Sequence, residues 1–255
     1  MAKTIRDLFY ETGPEDRMIH KWDHYFDIYE KYFAHYREKP LNFLEIGIMH
    51  GGSLNLWKNY FGEQLRLYAM DINPECKAFE EQNIQIHIGS QEDPVFLQGL
   101  AETLPDLDII LDDGGHTMKQ QLLTFETLFP KLKEGGIYLV EDTHTSYWEL
   151  YGGGLRRKSS FIEYCKKLVD SLYIHHLHDP GKVLSNEHIK QIHSITFYDS
   201  VVVFEKKKHI EPFHTRLGKV QVNPYEIQES KWGATWRKWI GTSVRSFARN
   251  DRYRK

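Results

Sequence analysis

The sequence predicts an α/β fold: a mostly parallel seven-stranded sheet with helices on both faces and an antiparallel hairpin at its end. Three observations predict it. From Asn42 to Val140, short apolar runs alternate with stretches that carry apolar residues at helical spacing, the pattern of a parallel sheet with crossover helices. Further on, the runs Ser194–Tyr198 and Val201–Phe204 are joined only by Asp199-Ser200, a connection too short for anything but antiparallel pairing. Two of the apolar runs also end on acids, at Leu111-Asp112-Asp113 and Val140-Glu141-Asp142. In open α/β sheets that edge is where ligands sit.

The elements follow in order. Phe26, Ile28, Tyr29 and Tyr32 lie at helical spacing within Asp16–Tyr36 and predict a helix ahead of the main fold, stopped by Lys39-Pro40. A strand over Asn42–Ile46 passes through a glycine-rich turn into a helix from Ser53 to Tyr60, with Ser53 as its N-cap. Strand Arg66–Met70 ends at Asp71, and Pro74–Glu81 forms a short helix. Strand Ile84–Ile88 ends at Gly89. The next helix, Asp93–Leu104, opens on Asp93 as cap and Pro94 in its first turn. Strand Leu107–Leu111, helix Lys119–Leu132 and strand Ile137–Val140 complete the alternation. Between Tyr147 and His193 lies an insertion with Gly152-Gly153-Gly154, a helix from Ser160 to Leu172 and many histidines. It follows the second acidic run directly and is placed to form a lid.

Three segments result: an N-terminal helical segment, 1–40; a main domain, 41–208, with the lid insertion 147–193; and a basic, tryptophan-rich tail, 209–255. From Glu229 onward the tail sets Trp232, Trp236, Trp239, Ile240, Val244 and Phe247 at helical spacing among lysines and arginines. Such a stripe suits packing on its own domain or a sister subunit, ahead of an anionic membrane surface.

The bulk numbers narrow the classes. With 255 residues, 40% of them hydrophobic, the chain can bury one sizeable core. A formal net charge of -3 gives no reason to expect nucleic acid as a bulk partner. Two cysteines, Cys76 and Cys165, fit a reducing cytoplasm better than a secreted scaffold, although one disulfide stays open. The N-terminus shows no apolar signal core, and no run approaches the roughly 20 apolar residues of a membrane span. A cytoplasmic location is therefore expected.

The turn Glu45-Ile46-Gly47-Ile48-Met49-His50-Gly51-Gly52 is not the Gly-x-Gly-x-x-Gly of dinucleotide folds. Its glycines admit a ligand close to the backbone, and the following helix offers unpaired N–H groups to an anion. With Glu45 ahead of it, this spacing suits a nucleoside cofactor that carries a carboxylate and no pyrophosphate. Asp71, about 20 residues after the turn, is placed to accept both hydroxyls of a ribose, or else to cap the segment after it. Gln91, in Gly89-Ser90-Gln91, is placed at the edge of a nucleobase.

Adjacent residues on an extended segment face opposite ways, so Asp112 and Asp113 serve different ligands. One faces the cofactor as an acceptor for its ammonium group, and the other faces the substrate as a metal ligand. Glu141 and Asp142 at the neighbouring strand end complete an oxygen set. Three carboxylates at one edge call for a cation, and Mg²⁺ needs few protein ligands while leaving positions for water or a substrate diol. His116 follows Asp113 across two glycines that let the chain curl back, which makes it the candidate base for a hydroxyl proton. His144 is a second candidate.

At these residues a family resemblance emerges. Phe43–Trp57, Leu111–His116 and Val140–Trp148 resemble the macrocin and mycinamicin sugar O-methyltransferases, together with the cephalosporin-hydroxylase-like and rhamnosyl O-methyltransferase group, over about Asp23 to Phe204. The resemblance implies a Rossmann-like class I methyltransferase with S-adenosylmethionine and Mg²⁺ as cofactors. It implies methyl transfer to a hydroxyl of a sugar or glycosylated natural product, and a homo-oligomer. It carries the metal to Asp113, Glu141 and Asp142 and the base to His116. Glu45, Gly47, Gly51, Asp71, Gln91 and Asp112 would surround the cofactor, with Ser53 at the start of the following helix. The family's third-strand motif commonly reads Gly-Asp-Gln, where this chain has Gly89-Ser90-Gln91. Two other readings stay open: a catechol-type O-methyltransferase, since a phenolic diol suits the same metal chemistry, and a non-catalytic S-adenosylmethionine-binding module anchored by its tail.

Overall fold

In the computed structural model, residues 3–179, 181, 188–208, 210–219 and 221–222 are described. Two compact units are present, Met1–Leu172 with Gly181–His209, and Tyr173–Pro180 with Ile210–Lys255. The described residues of the second unit hold no strand and no α-helix. The tryptophan stripe expected from Glu229 onward lies outside the described residues.

The first unit runs α1 (Ile5–Tyr10), α2 (Tyr25–Phe33), β1 (Leu41–Ile46), α3 (Gly52–Phe61), β2 (Leu65–Asp71), a 3-10 helix (Pro74–Phe79), β3 (Ile84–Ile88), α4 (Pro94–Thr103), β4 (Leu107–Asp112), α5 (Met118–Leu128), β5 (Leu132–Val140), α6 (Phe161–Leu168), β6 (Ile192–Phe197) and β7 (Val202–Lys206). One seven-stranded sheet has the order β3-β2-β1-β4-β5-β7-β6. Strands β1 to β5 pair in parallel, while β7 runs antiparallel to both β5 and β6. The mostly parallel sheet with a terminal hairpin is the expected fold. The chain steps outward from β1 to β3 and returns to β4 on the other side of β1. The C-terminal ends of β1 and β4 therefore flank the switch point, where such sheets form a crevice.

Alternation along the strands builds two cores. Phe43, Ile109, Leu111, Leu139 and Val203 face α1, α2 and α3. Leu44, Ile110, Tyr138, Val140 and Phe204 face α4, α5 and α6. The first core is aromatic: the Trp57 ring lies 5.5 Å from Tyr29, 5.9 Å from Phe33 and 5.3 Å from Phe43. This packing seats α2 against the sheet, so the N-terminal helices share the sheet's own core.

Several elements differ from expectation. The helix expected over 16–36 begins only at Tyr25, and residues 16–24 are non-helical, with Met18–Trp22 bordering the cavity at the ligand edge of the sheet. Polar ties hold that segment out of helix: Asp23 accepts from Arg6 and Tyr10, and Lys21 turns inward to acids. Ser53 is not the N-cap of α3; Gly51 takes that place in a left-handed conformation. The helix expected to reach Leu132 stops at Leu128, where Pro130 enters a 3-10 turn, and β5 starts five residues earlier than expected. Pro74–Phe79 is 3-10 rather than α. The helix expected from Ser160 to Leu172 is α-helical over Phe161–Leu168, with Ser160 as its cap, and Asp93 caps α4 as expected. The insertion expected as a lid is, in its helical part, a packed layer: Phe161, Cys165 and Leu168 are fully buried in the second core. Both cysteines are free and buried. Among the described residues, no helix is long and apolar enough to cross a membrane.

Candidate active site

A cavity of about 740 Å³ opens at the C-terminal edge of the sheet. Its floor is the turn after β1, where two glycines are required. Gly47 has φ 81°, and a Cβ there would lie 2.2 Å from the Asp113 carbonyl oxygen. Gly51 has φ 73°, and a Cβ would lie 2.7 Å from the Phe79 ring. The turn is thus pressed against the loop after β4 and the 3-10 helix after β2. Asp71 locks it from the side: one carboxylate oxygen accepts the N–H groups of Ile48 (2.9 Å) and Met49 (3.0 Å), and the other that of Asn73 (2.8 Å). Asp71 still borders the cavity, so it fixes the turn and faces whatever binds above it.

The cofactor-side acids sit deeper than expected. Glu45 is buried below the cavity wall, where it accepts from Ser53 Oγ at 2.9 Å. Burial pushes its carboxyl up to about 7, against the pull of Lys21. Ser53 borders the cavity while its hydroxyl is turned back to Glu45. Asp112 does not border the cavity either. It accepts from Gln91 Nε2 at 2.9 Å and faces Tyr138, and burial pushes it up to about 7. Gln91 borders the cavity, but its amide is engaged by protein: the nitrogen serves Asp112 and Thr124, and the oxygen accepts from Gly115 N at 2.8 Å. Asp112 and Gln91 therefore brace the loop 113–116.

The acids after β4 and β5 divide into two groups. Facing the cavity, Asp113, His116 and Asp142 each offer a ligand atom, and these atoms lie within 4.8 Å of one another. His116 Nε2 is 3.4 Å from an Asp142 oxygen and 3.8 Å from an Asp113 oxygen. His116 and Asp142 hold φ values of 56° and 50° in the left-handed region, a strained conformation that non-glycine residues adopt where neighbours over-determine it. The Thr145 hydroxyl lies between the carbonyls of His116 (2.8 Å) and Asp142 (2.9 Å) and ties the two loops together. His144 Nδ1 lies 3.9 Å from Asp142 Oδ1, and His144 does not border the cavity.

Glu141 borders the same cavity but is engaged by protein partners. It points inward, only 2% exposed, and accepts from Tyr29 Oη at 2.5 Å and from Lys21 Nζ at 3.1 Å. Asp113, Glu141 and Asp142, the expected set, all border the cavity, and among them Asp113 and Asp142 converge with His116. The Lys21 ammonium reaches Asp113 Oδ2 at 2.5 Å and is 3% exposed. Burial works against its charge, but Asp113, Glu141 and Glu45 outweigh burial and hold Lys21 above the ordinary lysine range. Tyr25 donates to Asp142 Oδ1 at 2.6 Å.

The partly exposed Asp113 and Asp142 carboxylates suit a divalent cation, since they offer hard oxygen donors and solvent-side positions stay open, with His116 Nε2 beside them. Lys21, Tyr25, Tyr29 and Thr145 were not foreseen. Tyr25 and Tyr29 do stand four residues apart on one helix face, but the same spacing also marks an ordinary core stripe.

Residues 44–143 match the family model described as "Methyltransferase domain". That stretch contains the glycine turn, Asp71, Asp113, His116 and Asp142. Residues 44–143 form a methyltransferase domain. Among curated relatives, the 8-demethyl-8-alpha-L-rhamnosyl tetracenomycin-C 2'-O-methyltransferase of Streptomyces olivaceus is 33% identical over 189 residues, covering 70% of this chain and 49% of that protein. Demethylmacrocin O-methyltransferase of Streptomyces fradiae is 35% identical over 191 residues, covering 70% and 47%. The chain spans about half the length of the curated relatives it matches. Among solved structures, the MycE methyltransferase from the mycinamycin biosynthetic pathway, in complex with Mg and SAH, superposes with a TM-score of 0.71 at 27% identity. The match covers 82% of this chain and 55% of that one. The cavity and its acids thus stand on a sheet like that of a protein whose structure holds Mg and SAH.

Proposed function

We propose that this chain transfers the methyl group of S-adenosylmethionine to a hydroxyl of a sugar carried by a small molecule. The observation that carries the reading is the convergence of Asp113, His116 and Asp142 at the rim of the cavity formed by the glycine turn and Asp71. Sugar-bearing acceptors are named for the tetracenomycin relatives, and Mg and SAH for MycE. The charge and donor types found here agree with both.

The roles of the chain's residues follow from their positions. The glycine turn and the start of α3 receive the carboxylate end of the cofactor, and Asp71 faces its ribose. Asp113 and Asp142 hold the cation, with Glu141 beside them on the cavity wall as the third acid of the set. When bound, S-adenosylmethionine supplies an electrophilic methyl and Mg²⁺ lowers the pKa of the acceptor hydroxyl. His116 Nε2 lies beside both carboxylates and takes the hydroxyl proton as the oxygen attacks. The new O–CH₃ bond replaces the S–CH₃ bond, giving an ether and S-adenosylhomocysteine, with the proton left on His116. His144, 3.9 Å from Asp142, is the alternative base. Much of the rate comes from alignment, because a sulfonium is already a good leaving group. Self-association belongs to this proposal too.

The test is transfer of labelled methyl to a rhamnoside and to a catechol, each with and without EDTA. EDTA-sensitive labelling of the rhamnoside supports the reading. Labelling of the catechol alone, or labelling indifferent to EDTA, contradicts it.

A further inference from the structure

Lys21 is the unexplained charge in this site. It arrives from the non-helical stretch 16–24, outside the matched residues 44–143. Its ammonium contacts both acid-bearing loops at once, with Asp113 Oδ2 at 2.5 Å and both Glu141 oxygens at 3.1 Å. At 3% exposure it sheds its water for these contacts. Tyr29 supports the arrangement, since its hydroxyl donates to the same Glu141 oxygen and its ring lies 6.0 Å from the Lys21 nitrogen. A lysine serving only as a tether for the segment would not need to sit among carboxylates. Burying an ammonium is costly unless its charge is used.

Formal charges show what that use is. Asp113, Glu141 and Asp142 together carry three negative charges, and Lys21 brings the sum to two. That sum matches one divalent cation. Lys21 engages Asp113 through Oδ2 and leaves Oδ1, the oxygen nearer His116, to the cavity. We propose that Lys21 is a built-in counter-ion that holds the acid group at the charge of one divalent cation and aims Asp113 at it. This rests on the reading of that group as a cation site. Lys21 touches the ligands rather than the reacting atoms, so it is a positioning residue.

Removing the ammonium makes the group more negative, and a trivalent ion gains more from that than a divalent one. The experiment titrates the full chain with Mn²⁺ by calorimetry and with Tb³⁺ by aromatic-sensitised luminescence, for wild type, Lys21→Met, Lys21→Gln and Lys21→Arg. The ratio of Tb³⁺ to Mn²⁺ affinity is expected to rise at least tenfold in Lys21→Met and in Lys21→Gln, and to stay near wild type in Lys21→Arg. A merely structural lysine would weaken both ions together and leave the ratio unchanged, and that result overturns the inference. If Lys21→Met does not fold, the ratio in Lys21→Gln decides. Wild-type protein that binds Mn²⁺ with no change of ratio in the neutral variants sinks the role of Lys21 alone. Wild-type protein that binds no Mn²⁺ sinks the cation reading, and this inference with it.

Discussion

The Tyr25 hydroxyl donates to Asp142 Oδ1 at 2.6 Å, and the Asp142 backbone N–H lies 3.3 Å from the same hydroxyl oxygen. One phenol from α2 thereby orients both the side chain and the backbone of a residue held at φ 50°. Partners that orient a metal ligand in this way typically matter about 10- to 100-fold in affinity. Tyr25→Phe should therefore weaken Mn²⁺ binding by about tenfold, with only a small loss of thermal stability, since the ring still packs. Calorimetry on the variant checks this. Unchanged Mn²⁺ affinity would show that Tyr25 is only a core residue.

His116→Ala should lower turnover by about 10²- to 10⁴-fold, the usual worth of a placed base. S-adenosylhomocysteine affinity should remain close to wild type. His144→Ala should cost far less. Initial rates of methyl transfer together with calorimetry separate the two histidines, and the reverse ranking would move the base to His144.

Gly47→Ala should be severe for two independent reasons. The residue has φ 81°, and its Cβ would lie 2.2 Å from the Asp113 carbonyl oxygen, a backbone atom that cannot swing aside. The turn would be forced off the loop that carries Asp113 and His116. A loss of more than about 2 kcal/mol in denaturant unfolding is expected, along with loss of cofactor binding. A variant with normal stability and cofactor affinity would show that the turn is looser than these contacts state.

Glu45 links the site to pH. Burial raises its carboxyl to about 7 from an ordinary value of 4.5. Between those two values the folded chain holds a proton that the unfolded chain has lost, so this residue's contribution to stability falls as pH rises through the window. The full span corresponds to on the order of 3 kcal/mol. Glu45→Gln keeps an acceptor for Ser53 and removes the ionisation. The melting temperature of the variant relative to wild type should therefore rise from pH 5 to pH 8. A constant difference would show that Glu45 does not titrate in this range.

The sheet was legible because each strand is a short apolar run between turn residues, and because Asp199-Ser200 is too short for any but an antiparallel connection. The acids at the ends of β4 and β5 were legible for the same reason, since a strand end fixes where a side chain begins. Their directions were not. Asp112 and Glu141 each have a neighbouring acid, and which of a pair turns inward depends on partners from distant parts of the chain: Gln91 and Tyr138 for Asp112, Lys21 and Tyr29 for Glu141. Lys21 itself carried no local signal. Apolar spacing placed residues 16–24 inside a helix, whereas contacts made by Asp23 and Lys21 across the fold override that local preference. The cap was misplaced by two residues because Gly51, free to take φ 73°, starts the helix before Ser53.

The central claim is that Asp113 and Asp142 hold a divalent ion beside His116 and within reach of the cofactor's sulfur. Crystals grown with Mn²⁺ and S-adenosylhomocysteine, measured at the manganese edge, test it most directly. The expected result is one strong anomalous peak at ligand distance from oxygens of both Asp113 and Asp142, with the cofactor's sulfur facing it across the cavity. A peak elsewhere on the protein, or a cavity that holds the cofactor and no metal at millimolar Mn²⁺, would contradict it.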